Sequence, residues 1–229
     1  QGGAVGYDVY KQGKHLGRVE LGVPGRHNVL NSLASLAVAD CTGVNFNDAA
    51  RALATFAGAK RRFETKYLSE RLRVVDDYGH HPTEVEATLQ TARSLNPGRI
   101  VVLFQPHRFS RTEKLSSEFG EVLQAADSVF VADIYPASED PIPGITGQTI
   151  VDAMALHGKT PAKYIGAVDS AHHHVANSLK PGDMLITLGA GNIHEAGTKI
   201  ARDMAVLEEM ERAAKCKKIK TALILKFSE

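Results

Sequence analysis

No G-x-x-x-x-G-K-[ST] phosphate loop occurs anywhere in the 229 residues, which excludes a self-contained ATPase of that type. Cysteine is scarce. Cys41 and Cys216 lie far apart and lack partner spacing, so they build neither a disulfide framework nor a four-ligand zinc site, and a reducing cytoplasm suits them. No apolar run reaches the length of a membrane span. Charge of one sign is not in excess: the net charge is +1, so bulk charge selects neither nucleic acid nor a membrane as partner. The opening Gln1-Gly2-Gly3-Ala4 is neither a signal peptide nor an initiator sequence, as expected of a piece of a longer protein. Internal repeats and low-complexity stretches are missing too. What remains is ordinary globular material, 43% hydrophobic and 23% charged, enough for one or two domains with a sizeable core.

Local pattern divides the chain. Val5, Tyr7 and Val9, then Leu16, Val19 and Leu21, predict a hairpin with Gly13 in its turn. Val29, Leu30, Leu33, Leu36 and Ala37 recur at helical spacing between His27 and Asp40, and Asn47-Asp48 is placed to cap a second helix ending near Phe56. After Arg61-Arg62-Phe63-Glu64 the rhythm changes. Buried strands are predicted at 72–76, 100–104, 128–132 and 184–188, with a weaker one at 163–165. Amphipathic helices are predicted at 82–94, 113–125, 148–156 and 170–179, and a last one from His194 past Met204. This alternation predicts an α/β fold with a mainly parallel, Rossmann-like sheet covered on both faces. Beyond about Glu208 the chain is charge-rich, ending in a short apolar tail.

The polar residues collect just after predicted strands: Asp76–Pro82, Gln105–Thr112, Asp133–Ala137 and Gly189–Asn192. In a parallel sheet these loops share one edge, the edge where open α/β sheets bind ligands. Arg108 and Arg111 suit a carboxylate or phosphate, which a guanidinium grips with two parallel hydrogen bonds, or they form a solvated basic loop. His80 and His81 precede a helix and fit either proton transfer to a substrate amine or capping. A zinc site from His80, His81 and His107 lacks an acidic or thiol ligand at metal spacing. His172, His173 and His174 share a predicted helix on which successive residues face different ways. Asp76-Asp77 fits a ribose hydroxyl, a magnesium-bound phosphate or a plain strand-end turn. Gly189-Ala190-Gly191 fits phosphate binding or a tight turn. Asn28 and Asn31, at a helix start, fit reading an adenine edge, with capping an equal account of Asn28.

Several runs occur together and in order: Pro24–Asn31, Phe56-Ala57-Gly58, Arg61–Glu64, Asp76–Glu84, Phe104–Thr112 and Gly189–Gly191. They resemble the second half of the Mur ligases, in the branch that adds L-alanine. The F-Q-P-H-R-F-S-R-T run at Phe104–Thr112 carries the most weight, because sister branches differ there. The likeness covers roughly residues 5 to 205. It implies that residues 1–62 end a central ATP-binding domain, that 63–207 form the C-terminal Rossmann-like domain, and that 208–229 are a charged tail without counterpart. It implies an ATP-dependent enzyme of peptidoglycan synthesis that joins L-alanine to UDP-N-acetylmuramate through an acyl phosphate. It also implies that the UDP-sugar domain, the phosphate loop and the magnesium ligands lie outside this chain. By motif, Asn28, Asn31, Arg62 and Asp77 would contact ATP. Tyr78, His80, Arg108 and Arg111 would surround L-alanine, and His80 would orient or deprotonate its amine.

Two other readings stand beside this one: a non-catalytic nucleotide or amino-acid binding module of the same descent, and a metal-dependent hydrolase built on the histidines. If the first 62 residues have lost their usual neighbours, Leu30, Leu33 and Ala37 are expected to be exposed. The segment would then be mobile, pack in a different way, or associate with another copy.

Overall fold

The structure is a computed structural model that describes residues 5–158 and 160–226, with side chains as far as residue 213. The charge-rich tail is thus seen mainly as backbone, and Cys216 and the end of the apolar tail lie outside the described side chains.

The chain opens as a hairpin. β1 (Val5–Lys11) and β2 (Lys14–Leu21) pair antiparallel. Gln12 and Gly13 between them both have positive φ, 50° and 79°, the geometry that matches a two-residue turn to the twist of its strands. Two helices follow, α1 (Arg26–Cys41) and α2 (Phe46–Thr55). The cap of α2 is Asn45, whose side chain accepts the Asn47 N–H, rather than Asn47-Asp48. Only one residue separates these positions, and it is Asn45 that sits in extended backbone with its oxygen turned to the open first turn. Val9, Val19, Leu21 and Leu36 bury a small core with Phe46 and Leu53 against it. The opposite side of α1 is bare: Leu30 is 59% and Leu33 36% exposed, and Ala37 is exposed as well.

The rest of the chain builds one sheet. Its elements are β3 (Glu64–Leu68), β4 (Leu72–Asp77), α3 (Pro82–Ser94), β5 (Arg99–Phe104), α4 (Phe109–Val122), β6 (Ser128–Ala132), α5 (Gly147–His157), β7 (Ala162–Gly166), α6 (Val168–Ala176), β8 (Asp183–Leu188) and α7 (Ile193–Lys226). The strand order is β3-β4-β8-β5-β6-β7, parallel except for β3. β3 was not legible in the sequence. Glu64-Thr65-Lys66-Tyr67-Leu68 is polar and half exposed, as befits an edge strand. The parallel strands β4, β5, β6 and β8 are nearly continuous apolar runs because both faces are covered. On one face Val75, Val102, Phe104 and Ile186 meet Leu89 of α3, Phe119 of α4 and Met154 of α5. On the other, Val74, Val101, Leu103 and Leu185 meet Val175 of α6 and Ile200 of α7. The helices α4 and α5 touch closely at Gly120, where a Cβ would lie 2.7 Å from the Ala153 carbonyl carbon.

α7 runs unbroken through residues 207 and 208, so the charged stretch begins inside a helix. Ser69 donates to the buried Glu208 at 2.6 Å, pinning this helix to the turn between β3 and β4. No helix among the described residues is long and apolar enough to cross a membrane.

Candidate functional site

Because the last strand, β8, inserts between β4 and β5, four loops far apart in sequence become neighbours along one edge. In spatial order these are the loops after β4, β8, β5 and β6, the four polar segments singled out from the sequence. Gln105 ties two of them. Its side-chain carbonyl accepts the Ile193 N–H at 3.1 Å and its amide donates to Asn192 at 3.0 Å. A Cβ on Gly191 would fall 2.4 Å from that Gln105 oxygen and 2.6 Å from the Tyr135 ring, so close packing alone requires the glycine.

Four rings stand in a row across the edge. Tyr78 meets His80 edge-on at 5.4 Å between centroids, and His80 meets His107 at 5.5 Å. His107 stacks on Tyr135 at 5.5 Å with planes 13° apart. Nδ1 of His80 lies 3.0 Å from the Tyr78 carbonyl oxygen and 3.2 Å from the Glu84 carboxylate. With a proton held on Nδ1 by those two acceptors, a neutral ring carries its lone pair on Nε2. Burial works against the Glu84 carboxylate, but N–H donation from His80 and His81 and the nearby His80 ring hold it below the usual range. His81 takes the other role: it caps α3, accepting the Thr83 N–H, with Glu84 completing a capping box.

Arg108 and Arg111 do not share a loop, because α4 starts at Phe109 rather than near Glu113. The polar run Ser110-Arg111-Thr112 hides that first turn from a hydrophobic pattern. Arg108 is the N-cap, at a φ of 73° unusual for a residue with a side chain. It is held there by its N–H on the Tyr135 carbonyl at 2.8 Å and by the Thr112 hydroxyl on its own carbonyl at 2.8 Å. Its guanidinium points to Glu139, 4.0 Å away. Arg111, on the first helical turn, places Nη1 3.3 Å from Nδ1 of His107.

Burial first, then the His80 ring and the guanidiniums of Arg111 and Arg108, push the His107 imidazole down to about 4, against the pull of Glu139. Its folded value lies below the ordinary 6.5, so unfolding takes up a proton between those limits. The stability it contributes is complete above pH 6.5 and is lost as the pH falls towards 4. NMR titration of the ring is expected to give a midpoint near 4, and Arg111→Met to raise it. A midpoint of 6 or above in the parent chain contradicts this arrangement.

Beside the row lies a cleft of about 660 Å³ between the α1–α2 unit and α3. Asn28, Asn31, Arg62 and Asp77 all line it, together with Phe56, Gly58 and Glu84. Asn28 is not a cap: Gly25 holds that position, and the Asn28 amide donates to the Pro24 carbonyl at 2.7 Å. Asp77 is buried, and its oxygens accept the N–H groups of Phe63 at 2.8 Å and Gly79 at 2.7 Å. Burial raises its carboxyl, with those donors opposing. Arg62 is exposed, lies over the Tyr78 ring at 5.7 Å and reaches Glu84 at 3.5 Å. Glu84 therefore touches both cleft and ring row.

The structure thus sets Tyr78 and His80 in one row with His107, places Arg111 against His107, turns Arg108 outward to Glu139, and gathers the other four candidates in the cleft. Glu84, Glu139 and Tyr135 were not among the site residues expected from sequence, and the role weighed for His107 was that of a metal ligand. Glu84 had a signal, three positions after His81 at a helix start. Glu139 had none, since it arrives from a loop 29 residues beyond its Ser110 partner. The rings of His172 and His173 touch at 3.8 Å between centroids. Among the described residues no three His, Cys, Asp or Glu side chains converge as a metal site.

A doubly wound α/β domain with its polar groups on the carboxyl edge, beside a cleft shared with a second unit, is the arrangement in which open α/β folds bind ligands. The family model described as Mur ligase, glutamate ligase domain, matches residues 61–191, and the chain belongs to the Mur ligase family. The UDP-N-acetylmuramate–L-alanine ligase of Desulforamulus reducens is 44% identical over 195 residues, covering 85% of this chain and 42% of that protein. The Geobacter sulfurreducens protein of the same name is 41% identical over 214 residues, covering 93% and 46%. The crystal structure of the UDP-N-acetylmuramate-alanine ligase of Thermotoga maritima superposes with a TM-score of 0.76 at 31% identity, over 89% of this chain and 43% of that one. The chain therefore spans less than half the length of the curated relatives it matches.

Proposed function

We propose that this chain is the amino-acid-holding part of an ATP-dependent ligase that joins L-alanine to UDP-N-acetylmuramate in peptidoglycan synthesis. The observation that carries the reading is the placement of Arg111 and His80 on either side of His107, beside a cleft lined by Asn28, Asn31 and Arg62. A guanidinium supplies the grip for an amino-acid carboxylate, and an imidazole with its lone pair on Nε2 supplies a proton acceptor for the amine. The cleft is mostly apolar with a few polar groups and has a size suited to a nucleotide, with Asn28 and Asn31 for the base and Arg62 for ribose or phosphate. Residues 1–62 would then belong to the nucleotide-binding domain and 63–207 to the domain that closes over it.

In the proposed reaction the lactyl carboxylate oxygen attacks the γ-phosphorus of ATP, the bond to the β–γ bridging oxygen breaks, and ADP leaves with the electron pair. The amine nitrogen then attacks the acyl carbon. A C–N bond forms, the C–O bond to phosphate breaks, and phosphate leaves with the electron pair. The amine gives up a proton, for which His80 is the proposed acceptor. Fixing the amine by its carboxylate beside the acyl group makes the attack effectively intramolecular. The electrostatics of phosphoryl transfer would come from the length of the relatives that this chain does not share.

The test is to graft this chain in place of the matching segment of the Geobacter sulfurreducens relative and follow phosphate release. Release that requires both UDP-N-acetylmuramate and L-alanine is expected. A folded graft that binds L-alanine but releases no phosphate points instead to a binding module without catalysis.

A further inference from the structure

The α4 N-terminus beside the ring row already holds an anion, and the chain supplies it. Glu139 accepts the Ser110 N–H at 3.0 Å and the Ser110 hydroxyl at 2.6 Å, and its carboxylate faces the Arg108 guanidinium at 4.0 Å. The Ser110 hydroxyl and backbone bonds hold this carboxyl below the usual range, with Arg108 adding to them. Glu139 also acts on His107 electrostatically, which places it in view of the same cluster. Its approach is fixed by a turn, since its N–H donates to the Pro136 carbonyl at 3.1 Å.

The cluster thus contains two places suited to a carboxylate. One, the helix N-terminus with Arg108, is filled by Glu139. The other, Arg111, has a neutral imidazole as its neighbour and no carboxylate within ion-pair distance among the described residues. We propose that Glu139 is a specificity-determining residue: it commits Arg108 and the α4 N-terminus, leaves Arg111 as the single open carboxylate grip, and so excludes amino acids that bring a second, side-chain carboxylate. Like charges brought together at a desolvating site repel, and rejection built on such repulsion separates substrates more sharply than a missing attraction. The inference rests on the amino-acid reading of the row given above and goes beyond it by assigning the charge class that the site refuses.

The experiment titrates the full chain with L-alanine, L-asparagine and L-aspartate, following the side-chain NMR signals of Arg111 and His107. Asparagine and aspartate have nearly the same shape, so their affinity ratio isolates charge from size. The parent chain is expected to bind L-alanine and to prefer L-asparagine over L-aspartate. In Glu139→Gln that preference should shift towards L-aspartate by about tenfold, with L-alanine affinity changed much less. Glu139→Asp, which keeps the charge, should keep the parental ratio, and its spectrum serves as the control for folding. An unchanged asparagine-to-aspartate ratio in a folded Glu139→Gln chain that still binds L-alanine overturns the role of Glu139 alone. Failure of the parent chain to bind L-alanine at all overturns the reading of the row, and this inference with it.

Discussion

Replacing Arg111 by alanine is expected to cut kcat/KM for L-alanine by roughly a hundredfold or more in the grafted ligase, with a raised KM as the larger part of the loss. Truncating one partner of a hydrogen-bonded charge pair costs about 2–5 kcal/mol, and 2.7 kcal/mol is already about a hundredfold. Among the described residues, half-buried Arg111 bonds the Nδ1 and carbonyl oxygen of His107 alone, which leaves its other donors open for a ligand. Arg108 makes the comparison sharp. It is half exposed and shared with Glu139, so Arg108→Ala should cost several-fold less than Arg111→Ala. A charge-preserving Arg111→Lys should recover part of the loss, since it keeps the charge and loses only the forked donor pair. Equal losses at Arg108 and Arg111, or a fall in kcat with KM unchanged, would mean that the carboxylate is not held as proposed.

The parallel strands were legible because burial on both faces makes them apolar runs, and the helices between them because each covers one face. The loops holding the candidate residues were legible for the same reason: a polar cluster directly after such a run has only the sheet edge to go to. Four things were not legible. β3 has an edge strand's exposed, mixed composition, which no periodicity marks. The first turn of α4 is polar, because Ser110 and Arg111 face the site instead of the core, so the helix seemed to begin at Glu113 and the arginines to share a loop. The partner of Arg108 is Glu139, and local sequence says nothing about a contact 31 residues away. The position of β8 between β4 and β5 is likewise a long-range fact. It is what sets the Gly189–Asn192 turn against Gln105, and with it the floor under His107 and Tyr135.

Arg61 and Arg62 show how two adjacent, chemically identical residues separate once the fold is known. Arg61→Ala is expected to destabilise the chain by about 3–5 kcal/mol, the range for breaking a buried ion pair from one side. Its Nε donates to Asp76 at 3.0 Å and its Nη2 to the Gly189 carbonyl at 2.6 Å, joining the ends of β4 and β8. Asp76 is 1% exposed and otherwise keeps the Thr187 hydroxyl at 2.7 Å, so removal of Arg61 strands a charge inside the sheet. In a domain of this size that loss lowers Tm by roughly 10 °C, readable in a calorimetric scan. Arg62 is exposed, and its longer contact with Glu84, 3.5 Å, is of the surface kind, so Arg62→Ala should shift stability by less than about 1 kcal/mol. Its proposed effect lies in the cleft, as weaker nucleotide binding by the folded protein. Replacing both partners of the buried pair, Arg61→Met with Asp76→Leu, should recover a large part of the stability lost in Arg61→Ala, because no unpaired charge remains inside. If the two single alanine variants melt alike, the Arg61–Asp76 pair is not what joins the two strand ends. If they melt apart and only Arg62→Ala weakens nucleotide binding, the sheet edge is rigid on the Arg61 side, and the neighbouring guanidinium is free to serve the ligand.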